Sequence, residues 1–305
     1  MSELTAVTGA FGFIGKHITD LLISQGERVI TLTNKRTHDS SSADKITAYP
    51  LDFNQPEALT TALSNVDTLY NTYWVRFNYG QTTFERAVQN TQTLIHAAQK
   101  AGVRRIVHIS ITNPSIDSSL PYFQGKAVLE QFIQRSGLSH AIIRPTVVFG
   151  LEDVLINNVA FLLRYLPVFA IPGPGKYRLQ PIYVEDLANI AVQAGQSRDD
   201  QVLDAVGPDL FTYKFLVHLI AEAIGSRSLI IHLPPGMALT LSRLIGLAIN
   251  DVILTRDELT GLMADLLVSS EPPLGRTSLR DWMASNADDC GTKYASELRR
   301  HFSPQ

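Results

Sequence analysis

The sequence predicts an α/β fold, a doubly wound parallel sheet with a smaller, mostly helical C-terminal lobe. Three observations predict it. Short apolar runs alternate with longer helical patterns through the first half of the chain, a glycine-rich segment joins the first run to the first helix, and past Gly150 the alternation lapses. Strict strand–helix alternation builds βαβ units and hence a parallel sheet. At 305 residues the chain is long enough to bury a substantial core beneath it.

Leu4–Thr8 reads as the first strand, and residues 14–25 as a helix that Gly26 ends. Residues 28–33 give the second strand, 40–44 a polar loop, 46–51 the third strand, and 56–63 a helix with Pro56 at its start. Residues 68–73 form the fourth strand, and Phe84–Ala101 a long helix with apolar residues at helical spacing, stopped by Gly102. A fifth strand at 105–110, a helix at 122–135 and a sixth strand at 140–143 complete the regular part. Beyond it, 181–184 and 202–206 read as returning strands around a helix at 184–194. Helices are expected at 213–224, 236–249 and 255–267, the last with Asp257 and Glu258 in its first turn. The expected division is a nucleotide-binding domain over 1–150, completed by strands within 178–206, and a lobe from 151–177 and 207–305. The apolar helix 236–249 is expected to pack into that lobe, with a partner or a membrane surface as the alternative.

Composition removes several function classes. Lys and Arg number 26 against 29 Asp and Glu, so no basic surplus calls for a nucleic-acid backbone. One cysteine, Cys290, excludes an internal disulfide or a multi-cysteine metal site, and the histidines lack ligand spacing, so no metal is expected. The longest apolar stretches, 161–172 and 237–249, are broken by Arg164 and Arg243 and fall short of a membrane span. Three residues precede the first strand, too few for a leader peptide, and a cytoplasmic location is expected.

The segment Thr8-Gly9-Ala10-Phe11-Gly12-Phe13-Ile14-Gly15 follows a strand and opens a helix. In that setting the first glycine permits a tight turn, the second lets backbone amides approach a diphosphate, and the third lets helix pack on strand. The helix start then offers bare N–H groups to the phosphates.

With Ala101-Gly102-Val103-Arg104-Arg105, Tyr122-x-x-x-Lys126, Arg144-Pro145 through Phe149-Gly150, and Pro181-Ile182-Tyr183-Val184-Glu185-Asp186, this loop resembles the extended and atypical short-chain dehydrogenase/reductases. The resemblance implies a Rossmann domain holding a nicotinamide dinucleotide on Gly9, Phe11, Gly12, Phe13, Ile14 and Gly15. The ribose-binding carboxylate expected for NAD is replaced by Thr33, followed by Asn34, Lys35 and Arg36, which favours NADP(H) over NAD(H); a solvated basic turn is the alternative. Asp52 and Phe53 fall where the family keeps adenine contacts, unless Asp52 caps the helix after Pro56. Asn71, Thr72 and Tyr73 end the fourth strand beside the cofactor, and Pro145, Thr146 and Val147 match the segment that wraps the nicotinamide.

Tyr122 and Lys126 lie one helical turn apart. In the family the lysine holds the nicotinamide ribose and lowers the tyrosine's pKa, and the phenol exchanges a proton with the substrate oxygen. The family's third partner, a Ser or Thr after the fifth strand, is Ile111 here, with Thr112 the nearest substitute and Ser110 expected to be buried in the sheet. Trp74 stands where relatives carry small residues, either to narrow the pocket or as core for the lobe. Two functions are therefore expected. One is an NADP(H)-dependent oxidoreductase, epimerase or dehydratase acting on a small carbonyl or hydroxyl substrate. The other is a non-catalytic NADP(H)-binding scaffold, as in the accessory subunit of respiratory complex I, which this chain also resembles. A homodimer through helices such as Phe84–Ala101 is expected by analogy.

Overall fold

In the computed structural model of this protein, residues 4–34 and 45–301 are described. The first half delivers the expected alternation: β1 (Leu4–Thr8), α1 (Phe13–Ser24), β2 (Arg28–Leu32), β3 (Thr47–Tyr49), α2 (Pro56–Ala62), β4 (Thr68–Asn71), α3 (Phe84–Ala101), β5 (Arg105–Ile109), α4 (Pro121–Arg135) and β6 (Ser139–Pro145). The expected polar loop at 40–44 lies outside the described residues. Helix ends follow local chemistry. Thr83 caps α3 by accepting from the Arg86 amide at 3.2 Å, and Gly102 closes it at φ 77°, a left-handed turn that residues with a Cβ resist.

Seven strands form one parallel sheet in the order Gln201–Ala205, β6, β5, β4, β1, β2, β3. The chain runs outward from β1 to β3 and then returns to lay β4 on the other side of β1. That reversal leaves a crevice at the C-terminal ends of β1 and β4, where open α/β sheets bind ligands. One face of the sheet buries Ala6, Leu32, Leu69, Ile106 and Ile142 with Leu59, Leu94, Ala98 and Ile133 of α2, α3 and α4. On the other side, helix Val184–Gln196 packs against α1. A Cβ on its Gly195 would come within 2.0 Å of the Tyr70 hydroxyl of β4, so only glycine fits there. Arg105 of the Ala-Gly-Val-Arg-Arg motif is fully buried and ties the end of this helix to the sheet, donating to the Ala194 carbonyl at 2.9 Å and the Asp199 carbonyl at 2.8 Å. A cation at a helix C-terminus also meets the negative end of its dipole.

The described chain forms two compact units: the residues through Pro145 with Val184–Ala205, and Thr146–Tyr183 with the residues from Val206 onward. Only one of the two expected returning strands joins the main sheet. Gln201–Ala205 pairs with β6, whereas Ile182–Tyr183 pairs in parallel with Val148–Phe149 inside the second unit. That unit also contains elements the periodicity did not reveal, among them helix Leu155–Tyr165, helix Leu279–Asn286, and strand Val168–Pro172 paired in parallel with strand Leu229–Leu233. Pro167 and Pro172 at the ends of that strand make its sequence read as turn, and its partner lies far along the chain. Ile156, Leu163, Ile171, Leu216, Trp282 and Met283 form the core of the second unit. Cys290 is buried in the same core, where loss of water pushes its thiol up to about 12. Helix Arg256–Met263 begins on a capping box, Thr255 accepting from the Glu258 amide and Glu258 answering on the Thr255 amide.

Candidate functional site

The glycine loop has the shape its spacing implies. Gly9 sits at φ +66° and donates to the Leu32 carbonyl at 3.0 Å, and Gly12 donates back to the Gly9 carbonyl at 2.8 Å. A Cβ on Gly15 would lie 2.2 Å from the Gly9 carbonyl oxygen and one on Gly12 3.2 Å from it. Close approach of helix to loop therefore excludes a side chain at Gly15 and leaves Gly12 tight. Gly12 caps α1 with no side-chain hydrogen bond, and no acidic residue occupies the first turn. Gly9, Phe11, Gly12, Phe13 and Ile14 retain exposure, so the loop is not sealed. A cradle that a Cβ would fill, opening on uncapped helix amides, fits the diphosphate of a dinucleotide.

The ends of β1 and β4 are knitted together beside this loop. Thr8 Oγ1 accepts from the Thr72 amide at 2.8 Å and the Tyr73 amide at 3.2 Å, and the Thr72 hydroxyl donates to the Thr8 carbonyl at 2.6 Å. Asn71 is fully buried; its carbonyl oxygen takes the Thr8 hydroxyl at 3.1 Å, and its amide nitrogen meets His108 Nδ1 at 3.0 Å. Tyr73 packs on Phe53 at 4.8 Å between ring centroids, and its phenol accepts from Asn90 at 2.9 Å. Of these predicted contacts, Thr72, Tyr73 and Phe53 keep some exposure, while Asn71 serves the sheet.

Asn34 clasps Leu51 in both directions, donating to its carbonyl at 2.9 Å and accepting from its amide at 3.0 Å. Asp52 accepts from the Asn54 amide at 2.9 Å and from Gln55 at 2.8 Å, and the Asn54 bond above all holds its carboxyl below the usual range. Gln55, not Asp52, is the cap residue of α2. Lys35 and Arg36 lie outside the described residues.

Tyr122 and Lys126 project from α4 onto a common neighbour, Trp74. The indole lies edge-on to Tyr122 at 5.7 Å, and the Lys126 ammonium sits 4.5 Å from its centroid. Trp74 also stacks on Phe84 at 6.1 Å, and a Cβ on Gly125 would meet its ring at 3.0 Å. These contacts place Trp74 against Tyr122 and Lys126 within the first unit. Lys126 is 2% exposed and donates to the Ile109 carbonyl at 2.7 Å. Burial pulls it down to about 7, opposed by the negative charge of Glu130. His108, also fully buried, is held well below its usual value by desolvation and then by Lys126.

Thr112 is 0% exposed, with its amide on the Pro145 carbonyl at 3.0 Å, and Ile111 is buried beside it. Ser110 is buried as expected and donates to Glu130 at 2.5 Å. Glu130 in turn receives a forked pair of bonds from Arg144, at 3.0 Å and 2.5 Å. This pair beneath the site was missed from the sequence, although Glu130 stands one turn beyond Lys126 and Arg144 lies in the Arg-Pro motif. In the second unit the Thr146 hydroxyl donates to the Gln180 carbonyl, and the Val147 carbonyl accepts from the Ile182 amide at 2.8 Å.

Sheet order, open switch point and glycine cradle together define a Rossmann-type nucleotide-binding protein. The chain belongs to the NAD dependent epimerase/dehydratase family, whose pattern matches residues 5–205. It is thereby an extended short-chain dehydrogenase/reductase of an NAD(P)-binding group. It is 25% identical over 284 residues to NADH dehydrogenase [ubiquinone] 1 alpha subcomplex subunit 9, mitochondrial, of Mus musculus, covering 89% of this chain and 74% of that protein. An NADPH-dependent quinone oxidoreductase from Escherichia coli, solved with NADPH, superposes with a TM-score of 0.75 at 19% identity, over 93% of this chain and 98% of that one. A nucleoside-diphosphate-sugar epimerase from Staphylococcus aureus gives 0.74 at 17% identity, over 93% and 100%. At such identities the two solved structures speak for the fold alone.

Proposed function

We propose that this chain binds NADP(H) on the loop from Gly9 to Gly15 and exchanges a proton between Tyr122 and the oxygen of a small carbonyl or hydroxyl substrate. The observation that carries the reading is Lys126, a buried amine drawn down to about 7 and sharing the Trp74 ring with Tyr122. In this reading Lys126 holds the cofactor's ribose and Tyr122 exchanges a proton with the substrate oxygen. A bound nicotinamide would supply the hydride chemistry. Preference for NADP(H) is supported by the lack of a carboxylate at Thr33 and Asn34 and by Lys35 and Arg36 after them.

The test is NADPH oxidation against a panel of aldehydes, ketones and quinones, with wild type beside Tyr122→Phe. Loss of about a hundredfold or more in kcat supports the acid/base role. Tighter binding of NADH than NADPH would reverse the cofactor reading. Isoleucine at position 111, where the family keeps a Ser or Thr, favours a second reading, a non-catalytic NADP(H)-binding subunit. NADPH binding without turnover on any substrate, unchanged by Tyr122→Phe, is its signature.

A further inference from the structure

Helix Pro235–Ile249 leaves part of its apolar surface in water. Its fully buried positions are Ala238 and Gly246, and a Cβ on Gly246 would come within 2.5 Å of the Asp251 carbonyl oxygen. Leu239, Leu241, Ile245 and Ile249 are part-buried beside them. Three further large apolar side chains face outward: Met237 is 57% exposed, Leu244 60% and Leu247 80%. At 3.6 residues per turn these three share one face, with exposed Arg243 at its edge. Met263, also exposed, extends the surface toward the helix start, since its Cε and Pro235 Cγ both lie within 4 Å of the Cβ position of Gly173. The helix packs against strand Val168–Pro172 within its unit, as expected, but leaves these three side chains uncovered. An amphipathic helix ordinarily hides its large apolar residues, and one that displays them is shaped for an apolar surface outside the chain.

We propose that this face lies in the interfacial layer of an anionic membrane, parallel to its plane. Charge selects that occupant. No carboxylate occurs between Glu222 and Asp251, a stretch that carries Arg227 and Arg243, in a chain whose net charge is −3. Asp251 is itself turned inward, accepting from the Glu297 amide at 2.9 Å. Exposed apolar residues beside Arg243, on a helix with no acidic side chain of its own, suit acyl chains beneath anionic headgroups. Area argues against a second copy of the chain. Three large side chains on one convex helix offer on the order of a few hundred Å², whereas a stable dimer buries roughly 800 Å² per partner. The helix has 15 residues, and among the described residues no helix is long and apolar enough to cross a membrane, so it would lie on the bilayer. The proposal is independent of the dinucleotide reading.

The test is co-sedimentation of the full chain with vesicles, comparing wild type with the double variant Leu244→Glu/Leu247→Glu. Wild type is expected to pellet with phosphatidylcholine vesicles containing about one third phosphatidylglycerol, and about tenfold less with phosphatidylcholine alone. The double variant is expected to lose roughly a hundredfold in partitioning, with an unchanged melting temperature because both side chains are already in water. Wild type remaining in the supernatant, or a double variant that pellets equally well, overturns the proposal. So does sedimentation velocity showing a wild-type dimer that the double variant dissociates while neither protein binds vesicles, which would give the face to a second copy.

Discussion

Gly15→Ala tests the nucleotide cradle most directly. The added methyl would start 2.2 Å from the Gly9 carbonyl oxygen and 2.8 Å from its carbonyl carbon, more than an ångström short of ordinary contact. The obstacle is backbone, and that backbone is pinned: Gly9 is bonded to the Leu32 carbonyl on one side and receives the Gly12 amide on the other. Relief must come from lifting α1 off the loop. Overpacking of this kind costs about 1–3 kcal/mol, or roughly 2–10 °C in Tm for a protein this large. The same displacement misaligns the first-turn amides. Losing two charge-assisted hydrogen bonds at about 1.5 kcal/mol each weakens binding roughly a hundredfold. Fluorescence titration with NADPH measures the Kd, and thermal melting the stability. Gly102→Ala serves as control, because Gly102 has φ 77° with nothing within 4 Å of its Cβ position. It should cost about 1 kcal/mol of stability and leave the Kd untouched. A folded Gly15→Ala protein that binds NADPH within about twofold of wild type would refute the cradle.

Two further outcomes follow from the buried charges. Burial pulls Lys126 down to about 7 from the ordinary lysine value of 10.5, so between those values the unfolded chain binds more protons and stability rises with pH. Urea midpoints should therefore climb from pH 7 to about pH 9, and Lys126→Met should flatten the climb; a wild-type midpoint that falls over that window contradicts the buried amine. Glu130→Gln leaves the Arg144 guanidinium with Asp204 at 4.0 Å as its remaining ion partner and should cost about 3 kcal/mol or more by chemical denaturation. A loss under about 1 kcal/mol would mean that the forked pair holds little together.

Legibility differed between the two halves. From Leu4 to Arg135 the strands and helices emerged within a few residues of their observed ends, because each βα unit carries its own period, cap and stop signal. The second unit was harder to read. Val168–Pro172 finds its partner in Leu229–Leu233, and no local pattern announces a pairing across such a distance. The site divided in the same way. The glycine loop and the Tyr122–Lys126 spacing are local and could be read. The covering of Lys126 by Trp74, the clasp of Asn34 on Leu51 and the enclosure of Thr112 join residues from separate segments, and only packing creates them.

The order of residues alone determined that this chain would wind a parallel sheet and begin it with a diphosphate-binding turn, since glycine spacing and helix starts are properties of a few consecutive residues. Tertiary structure decided which side chains that turn would share its crevice with, how far water would be stripped from Lys126, and that helix Pro235–Ile249 would leave Met237, Leu244 and Leu247 in water. Desolvation and facing direction depend on what lies across the fold, and neighbours along the chain do not encode them singly.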